Sequence, residues 1–379
     1  MIRPEHLVVL IGSNPLPNYI AVRALQPQRV TLLHTTETAA VKDRLRTALA
    51  AEVPDMWMDA VPTDGFRAER IRDSCTRLPY VTHLNYTGGT KPMAAHALDA
   101  LGLAPENCSY VDERDQVLRF DDGRSEKLGR LDIKLTLDLL LRLHDCTAPP
   151  SVTVTGAPQL SDAEAIRDVV LTDPRNAAQF YSEGKRLESL GLTKAKDQPF
   201  IPSDFHGGLT QTGIPGSGWT ARQLKAWCDF MGGNWLELCV EDWVKTAVEG
   251  DYTDMQQGVN VTNREGRCFQ VDVACVRGCR LHLMSVTTDD SLSLCKSKLF
   301  EVALRARQMG GDLARACIVC LLHRTSEKEG KHIDLLRADV ASAWDDPVKP
   351  EAFGLEDLKT WAGVEVEQSL DSLRDWLNS

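Results

Sequence analysis

The residues best suited to chemistry are Asn85-Tyr86-Thr87-Gly88-Gly89-Thr90-Lys91-Pro92-Met93. An apolar, strand-like run over residues 81–86 stops at two glycines and turns into a helix start. Thr90 can cap that helix, and Pro92 suits its first turn, where a missing N–H costs nothing. Gly88 and Gly89 are expected to let the backbone approach a ligand closely. The unpaired amides and the helix dipole at such a terminus favour an anion, and Lys91 adds a full positive charge. The chemistry this predicts is that of a phosphate-binding strand–loop–helix. The spacing is neither the Walker A pattern G-x-x-x-x-G-K-[ST] nor the dinucleotide pattern G-x-G-x-x-G. The latter is also missing after the first strand, which sets a Rossmann oxidoreductase aside. A glycine pair between strand and helix also serves as a plain tight turn, so the loop has to be read with its neighbours.

The elements that must hold this loop alternate in type. Residues 6–11, 29–33, 56–61 and 81–86 read as strands. Residues 36–50, with Ala40, Val41, Leu45 and Leu49 on one side, read as a helix, as do 66–76 and 92–101. Residues 108–112 and 116–120 read as a hairpin around Glu113-Arg114-Asp115. Strands separated by helices imply parallel βαβ units, hence a Rossmann-like sheet that ends near residue 145. In such sheets ligands sit outside the carboxyl ends of the strands. Three loops fall there: 12–18 with Ser13 and Asn14, 34–38 with His34, Thr35 and Thr36, and 87–91. Together they predict a polar, anion-friendly crevice, although the second loop would serve equally as a helix cap.

Residues 146–225 read as a connector. It starts with Thr147-Ala148-Pro149-Pro150, has helical spacing over 163–171 and 177–190, and is rich in Gly and Pro over 202–218. A winged-helix pattern there is weak. Beyond it the order is helix (235–247, with Leu236, Val240, Trp243 and Val244 on its apolar side), three strands (258–262, 268–276, 280–286), helix (294–309) and buried strand (315–322). Gly310-Gly311 is expected to end the last helix.

With 379 residues the chain has enough length for two cores. Its 43% hydrophobic and 26% charged content is ordinary for a globular protein. The net charge of -11 argues against a surface coated for non-specific DNA binding and leaves a local basic groove open. No apolar run is long enough for a bilayer, and Met1-Ile2-Arg3-Pro4-Glu5-His6 leads directly into a strand without a signal-peptide pattern. The expected location is the cytoplasm, with no membrane partner. Eleven cysteines is an odd number, and several, such as Cys317 and Cys320, lie in apolar segments. That pattern suits reduced, buried thiols. Cys275 and Cys279, with Cys268 nearby, lack a following His pair, so structural thiols outweigh a zinc site.

Two local signatures meet in this chain. Thr87-Gly88-Gly89-Thr90-Lys91-Pro92-Met93 resembles the nucleotide-sensing motif of CRISPR-associated Rossmann-fold (CARF) proteins. Gly233-Asn234-Trp235-Leu236-Glu237, Val271-Asp272-Val273, the strand 281–288, Lys298-Leu299 and Gly310-Gly311 resemble the restriction-like, PD-(D/E)xK nuclease domain fused to such sensors. The whole is similar to the Card/Can type, homodimeric effectors of type III CRISPR antiviral defence. The resemblance implies an α/β chain: a CARF-like sensing domain over 1–145, the connector over 146–225 and a restriction-endonuclease-like α/β domain over 226–379. It implies one cyclic oligoadenylate, typically cyclic tetra-adenylate, lying across the two-fold axis of the dimer. Thr87, Gly88, Gly89, Thr90 and Lys91 would hold phosphate and ribose, with Ser13, Asn14, His34, Thr35 and Thr36 facing the ring. An isologous dimer provides the symmetric floor that such a ligand needs.

For the second domain the resemblance implies Mg²⁺ or Mn²⁺ held by Glu237 and Asp272, a catalytic lysine, and DNA or RNA as target. A bare carboxylate at Asp272, between two valines, would be costly without a partner or a metal. Here the chain departs from the pattern. Where the family has E-C-K-T it has Ser285-Val286-Thr287-Thr288. Serine cannot supply the carboxylate, nor threonine the cation. Lys296 or Lys298 on the following helix, and Asp289 or Asp290 just past the strand, are the candidates to replace them, with Lys298 taken as catalytic. The expectation is a nuclease-type domain with an altered active site. Its alternatives are a sensor carrying a pseudonuclease that binds nucleic acid or a protein partner, and a ring nuclease that degrades its own cyclic ligand.

Overall fold

Five consecutive buried residues form β1 (His6–Leu10), the central parallel strand of the first sheet. A strand covered on both faces reads as an unbroken apolar run, as this one does. The computed structural model describes residues 3–150, 154–195, 219–324, 332–344 and 348–379. The Gly/Pro-rich stretch 202–218 lies outside them.

The chain continues through α1 (Leu16–Leu25), β2 (Arg29–His34), α2 (Ala39–Glu52), β3 (Trp57–Pro62), α3 (Ala68–Thr76), β4 (His83–Asn85) and α4 (Lys91–Leu101). Then come β5 (Cys108–Asp112), β6 (Val117–Phe120), β7 (Ser125–Lys127) and α5 (Leu137–Leu143). The sheet runs β3-β2-β1-β4-β5-β6-β7, parallel from β3 to β5 and antiparallel beyond. This is the expected Rossmann-like arrangement with two differences. Part of the expected loop 12–18 is α1, because Pro17 sits in the first helical turn, where proline is as much at home as in a loop. The hairpin gains β7, three exposed residues with no apolar period to announce them.

The second half has α6 (Leu160–Thr172), α7 (Asn176–Ala195), α8 (Ala221–Asp229), α9 (Trp235–Ala247), β8 (Asp254–Thr262), β9 (Cys268–Arg277) and β10 (Arg280–Val286). It ends with α10 (Leu292–Gly310), β11 (Arg315–Val319), α11 (Ile333–Ala343), β12 (Glu351–Phe353), α12 (Leu355–Ala362) and α13 (Asp371–Asn378). Its sheet runs β12-β11-β10-β9-β8, with β8, β9 and β10 antiparallel and β10, β11 and β12 parallel. The chain is thus mixed α/β with two sheets.

Each sheet strand of the second half points alternate residues at two cores. Val273 and Met284 join Phe180 of α7, Trp227 of α8, Trp235 and Trp243 of α9 and Trp361 of α12. Ala274, Leu281 and Leu283 face the other way. There they share a core with Leu139 and Leu140 of α5 and with Leu7, Val9, Ile20 and Leu45 of the first half. Polar links stitch the same seam: Leu137 N–H donates to Asp254 Oδ2 at 2.8 Å, and Thr147 and Thr262 exchange backbone bonds of 2.9 and 2.8 Å. Ten of the eleven cysteines are buried, as expected, and Cys268 is exposed. No helix among the described residues is long and apolar enough to cross a membrane.

Candidate ligand crevice and nuclease-type site

The strand order reverses between β1 and β4, and at such a switch point the loops leaving the strands' carboxyl ends are where a ligand would bind. Thr90 is extended (φ -88°, ψ 161°) and caps α4, its Oγ1 accepting from Met93 N at 3.2 Å. Lys91 is exposed at the first helical position, where the amides have no intrahelical acceptor. The Thr90 hydroxyl also donates to the carbonyl of Gly65, in the loop after β3. A Cβ on Gly65 would stand 3.2 Å from Thr35 Cγ2. A fourth loop, 63–67, therefore joins the three expected ones. Its turn sequence Thr63-Asp64-Gly65 directly after the third strand was the available signal. Asp64 Oδ1 accepts from Phe66 N (2.8 Å) and Arg67 N (2.9 Å), fixing a loop that leaves Phe66 76% exposed.

The expected side chains divide. Ser13 and Thr36 are exposed with Lys91, and His34 is half-buried, its Nδ1 bonded to Thr35 O at 2.9 Å. Thr35 is buried and packs inside the loop cluster. The Thr87 hydroxyl is spent within the sheet, donating to Asn85 Oδ1 (2.8 Å) and accepting from Val111 N (2.7 Å). The close approach at Gly88 is made to protein: a Cβ there would meet Leu10 O at 2.2 Å and Gly12 N at 2.9 Å. Gly89, at φ 77°, lies in the left-handed region that glycine tolerates.

Asn14 does not face the crevice alone. Its Oδ1 accepts from Leu16 N (3.1 Å) and lies 3.3 Å from His144 Nε2. Its Nδ2 is buried without a partner among the described residues. The amide packs on Gly311, just past α10, where a Cβ would come within 2.4 Å of Nδ2. Asn14 is thus a contact between the crevice loop and the second half. Gly311→Ala, with φ 67° to accommodate as well, is expected to cost about 1–3 kcal/mol and to speed amide exchange over residues 12–16. Unchanged melting and exchange would count against this seam.

In the second half, α8 and α9 are joined by a π-turn, Phe230–Asn234, in which Gly233 has φ 140°. The turn puts Glu237 in the first turn of α9, 6% exposed. Asp272 comes from β9, and its Oδ2 accepts from Val286 N (2.7 Å) and Ser285 Oγ (3.2 Å). These are the partners its apolar strand requires. Among the described residues Glu237 Oε2 accepts one hydrogen bond, from Gln257 Nε2 at 3.3 Å. Burial first, and the Asp272 charge second, push the Glu237 carboxyl up to about 8. Burial raises Asp272 as well, against the pull of the Val286 amide, Lys298 and Ser285. Lys298 acts on both carboxylates as the opposing charge.

Lys298 stands where two cavities meet. One, of about 350 Å³, is lined by Asp272, Ser285, Glu301 and Arg305. The other, of about 870 Å³, is lined by Tyr181, Thr288, Asp289, Asp290 and His323. The second candidate lysine, Lys296, is held by Asp339 at 2.9 Å. Asp289 caps the turn into α10, its Oδ1 accepting from Ser291 N at 2.6 Å. Glu237, Asp272 and Lys298 are therefore brought together, while Lys296 and Asp289 serve other contacts. Two residues near them were missed. Gln257 reaches Glu237 from β8 and carries no local signal. Glu301 was legible as the residue three past Lys298, on the same helix face.

No protein-family model matches the sequence, and no curated protein sequence matches it either. Solved structures do match. Can2 from Sulfobacillus thermosulfidooxidans, in complex with cyclic tetra-adenylate (cA4), superposes with a TM-score of 0.67 at 17% identity over 99% of both chains. Protein VC1899 from Vibrio cholerae gives 0.66 at 16% over 98% of both. A type III CRISPR defence DNA nuclease activated by cyclic oligoadenylate gives 0.51 at 16%, over 90% of this chain and 52% of that one. At such identities the likeness is one of fold, and across its length the chain has the two-sheet fold of Can2 and VC1899.

Proposed function

We propose that the chain is a cytoplasmic, homodimeric sensor of cyclic oligoadenylate and an effector of type III CRISPR defence. Its second half is read as a metal-dependent nuclease-type domain, of the PD-(D/E)xK kind, with an altered active site. The observation that carries the reading is the joint occurrence, in one Can2-like fold, of the Thr90–Lys91 helix terminus at the β1/β4 switch point and the Glu237–Asp272–Lys298 cluster. The ring is proposed as cyclic tetra-adenylate, held by the amides of residues 88–91 and by Lys91, with Ser13, His34 and Thr36 at the rim. The domain division at 145 and 226 belongs to the same reading.

The donor set suits a divalent cation. The Asp272 charge acts on Glu237, which has a single long hydrogen bond among the described residues, and Mg²⁺ takes one or two carboxylates and completes its shell with water and phosphate. Glu237 and Asp272 would hold Mg²⁺ or Mn²⁺, which when bound polarises a phosphoryl oxygen and acidifies water. The chain's own work is positional. Val286 N and Ser285 Oγ orient Asp272, Gln257 orients Glu237, and Lys298 supplies positive charge beside a phosphate of DNA or RNA.

Calorimetry with cyclic tetra-adenylate tests the sensor. Binding is expected, and Lys91→Ala is expected to weaken it about tenfold or more, the worth of a hydrogen bond to a charged group. No heat with any cyclic adenylate would reject the reading. Supercoiled plasmid and single-stranded RNA, incubated with the ring and Mn²⁺, test the effector. Ser285 and Thr287 favour a second reading, a pseudonuclease that binds without cutting. High-affinity ring binding with no cleavage of either substrate selects it.

A further inference from the structure

The two cavities that meet at Lys298 are lined by different chemistry. We propose that one nucleic-acid strand lies across Lys298, seated by a substrate-positioning residue on either side. Arg305 of α10 takes a backbone phosphate, and Tyr181 of α7 stacks on an unpaired base. The assignment rests on the nuclease-type reading of the domain and names two residues outside its motifs.

Arg305 lies seven residues past Lys298, two turns along the same face of α10. Both side chains line the cavity of about 350 Å³ with Asp272 and Ser285. Seven residues rise roughly 10 Å along a helix axis. A strand carries one charge per about 3.4 Å, so the two cations serve different phosphates. The guanidinium is already aimed. It lies 4.1 Å from the centroid of the Phe269 ring, and its Nη1 donates to Gln308 Oε1 at 3.2 Å. Its ion pair with Glu301 is long, at 3.5 Å, and the Glu301 side chain is 62% exposed. Exposed pairs of this kind contribute little. A phosphate therefore meets a preorganised guanidinium whose carboxylate partner holds it weakly.

On the other side, the cavity of about 870 Å³ is lined by Tyr181, Asp289 and Asp290 together with Lys298. Aspartates repel phosphate, so beyond Lys298 this arm suits a base better than more backbone. On α7 the two adjacent aromatics part company: Phe180 is buried, whereas Tyr181 is 49% exposed. Lys185, one turn on, has its Nζ 5.9 Å from the centroid of the Tyr181 ring, which steadies the ring by a cation–π contact. Stacking on such a ring accepts any base, since every base has a π-face. Inside a duplex both faces are already covered, so the base at Tyr181 has to be unpaired. Because Lys298 lines both cavities, a phosphate beside it leaves room for the strand to continue in each direction.

Fluorescence anisotropy of short fluorescein-labelled oligothymidylate and oligouridylate, in EDTA with and without cyclic tetra-adenylate, tests this on the full chain. Arg305→Gln is expected to weaken binding about tenfold. It should also lower the slope of log affinity against log salt by about 0.7, the share of one phosphate in a single strand. Arg305→Lys keeps the charge and should keep the slope, a rescue that lost packing on Phe269 would not show. Tyr181→Ala is expected to weaken binding about 5–100-fold with the slope unchanged, the worth of one stacked base. Tyr181→Phe should bind as the unaltered chain does, and binding of a duplex should not respond to Tyr181→Ala. Unchanged affinity and slope in Arg305→Gln overturn the phosphate role. Unchanged strand binding in Tyr181→Ala, or an equal loss on strand and duplex, overturns the stacking role. These outcomes leave the domain reading intact. No binding of either probe by the unaltered chain overturns the inference together with nucleic acid as the target.

Discussion

Gly88→Ala is expected to destabilise the chain by about 3 kcal/mol or more, the upper range for forcing an atom into a packed interior. The added Cβ would lie 2.2 Å from Leu10 O and 2.9 Å from Gly12 N. Both are backbone atoms, so no rotamer change relieves the overlap. Leu10 closes β1, which is buried, and its carbonyl already accepts from Asn18 Nδ2 at 2.9 Å. Relief would require prising β4 from β1 at the centre of the sheet. Lys91→Ala, three residues on, changes an exposed side chain and should alter stability by no more than about 0.5 kcal/mol. Thermal melts of the two variants separate the loop's structural duty from its proposed binding duty. If Gly88→Ala melts with the unaltered chain, the glycine is not there for the sheet.

Without divalent metal, the melting temperature of the unaltered chain relative to Glu237→Gln is expected to fall as the pH rises from about 5 to 8, a difference that removes the opposite trend of His6, His83, His144 and His282, whose values burial lowers. The Glu237 carboxyl has an ordinary value of 4.5 and is held at about 8 in the fold. Between those values the folded chain keeps a proton that the unfolded chain has released. The stabilisation is complete below 4.5 and is lost as pH climbs through 8, at up to about 1.4 kcal/mol per pH unit. Asp272 is raised too and adds to the same trend. Mn²⁺ should flatten the profile and release protons on binding, because the cation favours the ionised carboxylates. Glu237→Gln should keep only the contributions of Asp272 and the buried histidines without metal, and abolish the Mn²⁺ effect. A difference between the unaltered chain and Glu237→Gln that stays constant from pH 5 to 8 would contradict the raised Glu237 carboxyl.

The loops around Thr90 and the Glu237–Asp272–Lys298 cluster were legible in the sequence to different depths. The strand, turn and capped helix over residues 81–101 were readable because each depends on neighbours a few positions away: apolar alternation, a Thr at the cap, a Pro in the first turn. Glu237 at the start of α9 was found another way, through the resemblance of Gly233-Asn234-Trp235-Leu236-Glu237 to a family motif. α1 was hidden because Pro15 and Pro17 serve a loop and a helix start equally well. β7 was hidden because three exposed residues have no period.

What the residues by themselves determined is the α/β alternation, the positive helix terminus at Thr90 and Lys91, and the acidic and basic candidates of the second half. What only the tertiary structure decided is the use made of each. Gly88 serves β1, Thr87 braces β5, Asn14 meets Gly311, Lys296 pairs with Asp339, and Lys298 lines one cavity with Asp272. The physical reason is the range of the forces involved. Propensity and capping act within one or two turns of chain, whereas steric exclusion, burial and charge pairing act between residues that only folding brings together.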